Sequence, residues 1–88
     1  MKAIEIKKLE GFTGDARLYR LNPSFYGHKF VVVSATVAPF SGPETYIFPA
    51  DENGEVTSWG ELAGSFRGEL DHKKALGNIG YEVEVYER

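Results

Sequence analysis

Cysteine is absent from the 88-residue chain, and methionine and tryptophan occur once each. Without cysteine the chain forms neither a disulfide framework nor a thiolate zinc site, and a catalytic thiol is excluded. A domain of this size buries only about 60–65% of the surface that its unfolded chain exposes. The packing of apolar side chains must therefore hold the fold together without disulfide support.

Long apolar segments are also missing. The N-terminal MKAIEIKKLEG has no apolar run of signal-peptide length after its lysine, and no segment approaches the roughly 20 apolar residues of a membrane helix. We therefore expect a cytoplasmic protein without a membrane partner. The net charge of -3 at pH 7 repels a phosphate backbone as a whole, which argues against nucleic acid as the partner.

The residues that are present predict a single small α+β domain spanning residues 1–88. Short runs of β-branched and aromatic residues, separated by Gly, Pro and Asn, are typical of strands joined by turns. We expect a curved, mainly antiparallel sheet of about five strands, with one helix before the last strand. The last strand is expected beside the first. The predicted strands span residues 3–9, 15–21, 30–38, 44–48 and 81–86.

The alternation of residue types predicts a register for the first hairpin. If the first two strands pair across residues 11–14, Ile4 faces Leu21 and Ile6 faces Tyr19. One face of this hairpin is then apolar, and a slip by one residue would destroy that pattern.

The third strand is the most apolar, and its face with Val31 and Val33 is expected to meet the helix. Closing the next hairpin over residues 39–43 would set Ala35 against Ile47 and Thr36 against Tyr46. The second side of the sheet would then carry apolar residues that need a cover, namely Phe30, Val32, Tyr46 and Phe48.

Two helical segments are predicted after the fourth strand. Ser58 and Glu61 have the spacing of a capping box, which predicts one short helical turn. Asp71 is a good N-cap for a longer helix, which we expect to end at Gly80 because glycine suits the C′ position.

The acidic segment DENGE, residues 51–55, resembles a cation site at first sight. In a calcium loop that starts at Asp51, the sixth position must be glycine and the twelfth glutamate, but these positions hold Val56 and Leu62. Asn53-Gly54 is instead a strong hairpin signal, typical of a two-residue type I′ turn. We expect a turn and neither a metal nor another cofactor.

His72 invites a catalytic interpretation, because the adjacent Asp71 could orient its imidazole as a general base. Adjacent helical residues point about 100° apart, however, and a capping aspartate is already bonded to backbone N–H groups. The chain also contains neither a G-x-S-x-G elbow nor a P-loop. We predict no catalytic residue and no enzyme, and a hydrolase that uses His72 is kept as an alternative.

Basic residues cluster on the first hairpin, which makes a small nucleic-acid-binding protein a second alternative. Acidic residues lie between them, and mixed charge is typical of a solvated face. The cluster comprises Lys7, Lys8, Arg17 and Arg20.

Three segments, FTGDARLYRL, GPETYIFPADENGEVTSWGEL and DHKKALGNIGYEVEV, cover most of the chain. They resemble short uncharacterised proteins encoded in bacterial and phage genomes. The resemblance implies a free-standing small protein, such as a phage accessory protein, and it implies no activity and no functional residues.

The function predicted from the residues is a binding or regulatory module that acts through protein–protein contact. Tyr46, Phe48 and Trp59 are predicted to form an aromatic group on the side away from the helix. Either this group stays partly open and docks another protein or a second copy of the chain, or loops cover it as a second core. The loops expected to do so carry Phe25, Phe40 and Phe66.

Overall fold

The computed structural model describes residues 1–12 and 14–85, which form one sheet and one short helix. The elements of this described part are β1 (Lys2–Leu9), β2 (Asp15–Phe25), β3 (His28–Ala38), β4 (Gly42–Ala50), β5 (Phe66–Arg67), α1 (His72–Gly77) and β6 (Glu82–Val85). The six strands lie in the order β5-β4-β3-β2-β1-β6. The predicted α+β class is confirmed, with one strand more than expected because of the two-residue β5. No helix among the described residues is long and apolar enough to cross a membrane.

The last strand lies beside the first, as predicted. β6 pairs with β1 in parallel, while the other neighbouring strands pair antiparallel. The predicted end of this strand at Tyr86 lies outside the described residues.

The predicted register of the first hairpin, with Ile4 opposite Leu21 and Ile6 opposite Tyr19, is wrong. Ile4 pairs with Arg20, because a bulge around Ile6 shifts the register between the two halves of β1. A β-bulge inserts one extra residue that has no partner on the facing strand. Ile6 is consequently 42% exposed.

Because of the bulge, β1 contributes buried side chains to both faces of the sheet. Ala3, before the bulge, is buried on the face that α1 covers, while Leu9, after the bulge, packs against the opposite face. In a regular strand all odd-numbered residues share one face, so this division requires the extra residue. Thr13, at the predicted loop of this hairpin, lies outside the described residues.

The pairs predicted for the second hairpin, Ala35 with Ile47 and Thr36 with Tyr46, are wrong by two residues along β4. The loop is tighter than expected, since residues 39–41 alone join β3 to β4. A shift of two residues preserves the alternation of a strand. Each side chain therefore keeps the face that was predicted for it.

Apolar side chains are buried on both faces of the sheet. The larger group, here called the helix-side core, consists of Ala3, Tyr19, Leu21, Val31, Val33, Ile47, Ala75, Leu76 and Tyr81. On the opposite face Ala16, Leu18 and Val32 are buried, and side chains that include Leu9, Phe12 and Val56 pack against them. The predicted packing of the helix on the Val31 and Val33 face is confirmed.

The N-terminal end of α1 is formed as predicted. Asp71 precedes the helix, and its Oδ1 accepts a hydrogen bond of 3.0 Å from the N–H of Lys74. The helix ends at Gly77 and not at the predicted Gly80. Gly80 instead has a φ of +87° in the turn that follows, which directs the chain into β6.

The helical turn predicted for residues 58–61 is not formed. Ser58 Oγ accepts a hydrogen bond of 3.3 Å from the N–H of Gly60, so its hydroxyl stabilises a bend. Glycine is a poor helix former, and its position in the middle of the predicted turn favours this outcome.

The turn predicted in DENGE is confirmed, but it has a three-residue loop and not two. The N–H of Gly54 donates to the carbonyl of Asp51 at 3.0 Å, and the N–H of Asp51 donates to the carbonyl of Glu55 at 2.9 Å. Within this turn only Gly54 has a positive φ, +89°, as in hairpins that end in a glycine bulge. Asp51 Oδ1 also accepts the N–H groups of Asn53 at 2.9 Å and Glu55 at 3.0 Å. This carboxylate therefore stabilises the turn.

Gly64 lets the segment before β5 approach α1 closely. Its φ is +98°, and a Cβ at this position would lie 2.7 Å from the carbonyl oxygen of Ala75. Gly27 has a similar φ of +84°, but a Cβ there would meet no atom within 4 Å.

Replacing either glycine by alanine should cost about 1–2 kcal/mol for the left-handed backbone conformation. Gly64→Ala also forces a contact with helix backbone, so we expect it to lower the free energy of unfolding by a further ~1–3 kcal/mol relative to Gly27→Ala. Urea denaturation measures both values. Equal losses for the two variants would contradict the close approach of this loop to α1.

Candidate functional site

Tyr46, Phe48 and Trp59, the residues predicted to bind a partner, lie together on the face of the sheet opposite α1. The ring centroid of Phe48 is 6.0 Å from that of Tyr46 and 5.2 Å from that of Trp59. Phe12 joins the group, with its centroid 6.2 Å from that of Trp59. We call Phe12, Tyr46, Phe48 and Trp59 the aromatic patch.

Two backbone hydrogen bonds place Trp59 over β4. The N–H of Thr57 donates to the carbonyl of Pro49 at 2.9 Å, and the N–H of Leu62 donates to the carbonyl of Ile47 at 2.7 Å. The chain between these two points bridges the edge of β4 and carries Trp59 onto Phe48. The segment that makes this contact is irregular and not a strand.

The loops that were expected to cover the aromatic patch do not cover it. Phe25 and Phe66 pack against the helix-side core, and Phe40 is fully exposed at the tip of the β3–β4 hairpin. Phe12, which was not predicted, supplies a partial cover on the same face of the sheet, from the segment between β1 and β2. Trp59 is 68% exposed, so the patch is partly open.

The rim of the aromatic patch is polar. Arg67 Nε donates a hydrogen bond of 3.2 Å to Tyr46 Oη and lies 3.4 Å from Glu44 Oε1. The hydrogen bond with Tyr46 and the negative charge of Glu44 raise the pKa of Arg67. An apolar centre with a polar rim is the usual composition of a binding surface.

A second cluster, made of polar side chains, lies on the helix-side face. His72 Nδ1 is 3.0 Å from Tyr19 Oη, and His72 Nε2 is 2.9 Å from the carbonyl oxygen of Asp15. The His72 side chain is 11% exposed, and Tyr19 is buried. Burial lowers the pKa of His72 below its ordinary value of 6.5, although the carbonyl and carboxylate of Asp15 oppose this effect. Burial likewise raises the pKa of Tyr19.

Arg17 extends this cluster by joining two carboxylates. Its Nη1 is 3.0 Å from Glu5 Oε1 and its Nε is 3.0 Å from Asp15 Oδ1. Burial raises the pKa of Asp15, but the hydrogen bond from Arg17 and the nearby His72 outweigh it and hold this pKa below its ordinary range. An open cavity of about 430 Å³ lies beside the cluster. Its charged lining differs from the mainly apolar walls of small-molecule sites.

His72 does not pair with Asp71, the partner that was considered from the sequence. The Asp71 carboxylate accepts the backbone N–H of Lys74 and caps the helix. Tyr19 and Asp15 precede His72 by 53 and 57 residues, so only the tertiary fold brings them to the imidazole. No local sequence pattern contains this information.

Within residues 1–12 and 14–85, no group of three His, Asp or Glu side chains is arranged to hold a metal ion. The chain matches no family model, no curated protein and no solved structure.

Trp59 is the single tryptophan of the chain, so its fluorescence reports on the aromatic patch alone. Because the residue is 68% exposed, we expect acrylamide to quench the native protein nearly as strongly as the urea-unfolded protein. A native protein whose fluorescence resists the quencher would show that the patch is covered.

Millimolar calcium should leave the melting temperature unchanged, because the Asp51 carboxylate is bonded to backbone N–H groups of its own turn. A cation bound only by the native state at a hundredfold excess over its Kd would add about 2.7 kcal/mol, enough to raise the Tm of so small a domain by on the order of 10 °C. Differential scanning calorimetry with calcium, and with magnesium as the control, measures this. A rise in Tm with calcium but not with magnesium would contradict this prediction and indicate a calcium site.

Proposed function

We propose that this protein is a small non-enzymatic binding module that acts through protein–protein contact, with the aromatic patch as its binding surface. The observation that carries the proposal is Trp59, which packs on Phe48 at 5.2 Å and yet is 68% exposed. Tryptophan and tyrosine are enriched among the residues that dominate binding energy. A phage accessory protein, the role that the sequence resemblance implies, would act through contact of this kind.

The size of the aromatic patch favours a short apolar segment of another protein as its occupant over a second copy of the chain. Exposed Trp59 and its three half-buried neighbours offer on the order of 400 Å² together, given about 150–250 Å² for a complete aromatic side chain. A stable dimer buries roughly 800 Å² on each protomer. The patch provides about half of that area, which suits transient binding with a Kd on the order of micromolar or weaker.

Nucleic-acid binding has less support from the arrangement of the basic residues. Arg17 is bonded to Glu5 and Asp15, so its charge is already neutralised within the chain. Lys7 and Lys8 are neighbours in β1 and project to opposite faces of the strand. These cations do not form one continuous basic surface for a phosphate backbone.

The hydrolase alternative requires an imidazole that can take a proton from a nucleophile or a water molecule. Both ring nitrogens of His72 are instead engaged, with Tyr19 Oη and with the carbonyl of Asp15. Neither serine nor cysteine is among the described residues that line the adjacent cavity. The binding module is therefore the function that the geometry supports best.

Selection of short random peptides displayed on phage tests the proposal. Wild-type protein serves as bait, and the Trp59→Ser variant serves for counter-selection. We expect the enriched peptides to share an aromatic or large aliphatic residue, and synthetic copies should change Trp59 fluorescence on binding. In calorimetric titrations Trp59→Ser should bind these peptides at least about tenfold more weakly, as expected for the loss of a central aromatic side chain.

Phe40→Ser is the matched control, because Phe40 is also an exposed aromatic residue but lies outside the aromatic patch. This variant should bind the selected peptides like the wild type. Peptides that bind Trp59→Ser as well as the wild type would contradict the proposal. A dimer in analytical ultracentrifugation that Trp59→Ser abolishes would replace the peptide by a second copy as the occupant.

A further inference from the structure

The hydrogen bonds of His72 define which of its ring nitrogens carries a proton. The partner of Nε2 is the carbonyl oxygen of Asp15, which can only accept, so Nε2 must carry a hydrogen. In a neutral imidazole the other nitrogen, Nδ1, then has a lone pair and accepts the hydroxyl hydrogen of Tyr19 at 3.0 Å. The neutral form of His72 satisfies every polar atom of this contact.

Protonation of His72 would conflict with this arrangement. With hydrogens on both ring nitrogens, Nδ1 could no longer accept and would instead donate to Tyr19 Oη, so the hydroxyl hydrogen of Tyr19 would lose its acceptor. Tyr19 is 1% exposed, so its hydroxyl cannot simply turn to bulk water. A buried polar group that loses its hydrogen-bond partner is destabilising.

His72 is also the first residue of α1, so its two hydrogen bonds fasten the start of the helix to β2. Two residues of α1, Ala75 and Leu76, are fully buried in the helix-side core. A loss of the contact at His72 would therefore weaken the attachment of the element that covers this core.

We infer that the contacts of His72 with Tyr19 and with the Asp15 carbonyl form a pH-sensitive latch, which holds α1 on the sheet at neutral pH and loosens it in mild acid. The latch lies on the face opposite the aromatic patch, and its operation does not depend on the proposed binding function.

Burial is the largest influence on the pKa of the imidazole, and the charges around it act in both directions. Opposite effects come from the carboxylates, which favour a charged imidazole, and from Arg17, which disfavours it. The titratable and charged groups that face His72 are Asp15, Arg17 and Tyr19 from β2, Glu5 from β1, and Asp71 and Lys73 from its own segment.

The direction of the pH effect follows from the lowered pKa of His72. An unfolded or detached helix protonates this imidazole near its ordinary value of 6.5, while the folded protein resists protonation. The attachment is therefore fully present above that pH and is lost as the pH falls through the lower folded pKa. Asp15 has a lowered pKa as well, but it titrates below its ordinary value of 3.8, outside this window.

Hydrogen exchange followed by NMR tests the latch between about pH 7 and pH 5, the range in which a histidine changes charge. The amides of Ala75 and Asn78 report on α1, since they donate to Asp71 and Lys74 within the helix. We expect their protection, corrected for intrinsic exchange, to fall by up to about tenfold per pH unit, the limit for uptake of one proton. The amide of Val32, in the centre of the sheet, should lose less protection over the same pH range.

His72→Gln supplies a donor and an acceptor but does not titrate, so its helix amides should show no such loss across this range. His28→Gln, which removes the other histidine, should behave like the wild type. Equal pH dependence in His72→Gln and the wild type would overturn the latch.

NMR titration of the wild-type protein tests the latch without any variant of His72. The ring protons of His72 in the wild type should titrate below pH 6.5, the ordinary value. A wild-type His72 that titrates at or above its ordinary value would refute the latch.

Discussion

The central strand β3 is buried on both faces, and the rest of the structure depends on how those two faces are covered. Val31, Val32 and Val33 have no exposed surface, although successive residues of a strand point to opposite sides. The single described helix covers one side. The other side is covered by the ends of strands and by loops, and the aromatic patch lies at the outer limit of that second cover.

The same constraint explains the irregular parts of the fold. Leu9 reaches the second face only because the bulge at Ile6 reverses the alternation of β1. Gly54 is buried against that leucine, and a Cβ at Gly54 would lie 2.9 Å from Leu9 Cδ2. The DENGE segment is therefore more than a surface turn, since its glycine closes the second face where a larger side chain would not fit without displacing its neighbour.

Local chemistry made part of this fold predictable from the sequence. The Asp71 cap and the turn at Gly54 depend on residues close in sequence, and both occur where they were predicted. The faces of β3 and β4 were also correct, because strand alternation survives an error of two residues in register. The bulge at Ile6 could not be predicted, since its cause is the need to fill both faces of a sheet and not a local pattern. The His72 contacts were missed for a similar reason, because their partners lie on a distant strand.

The two candidate sites are separated by the sheet, yet one stretch of chain connects them. The carbonyl of Gly64 accepts a hydrogen bond of 3.1 Å from Asn78 Nδ2, at the end of α1. Between this point and Trp59, the N–H of Leu62 is bonded to the carbonyl of Ile47 at 2.7 Å, which ties the chain to β4. A displacement of α1 would therefore move the residues that follow Leu62. Trp59 would keep its position, because it lies between two backbone hydrogen bonds to β4. The geometry of the aromatic patch is thus determined by the sheet and not by the helix.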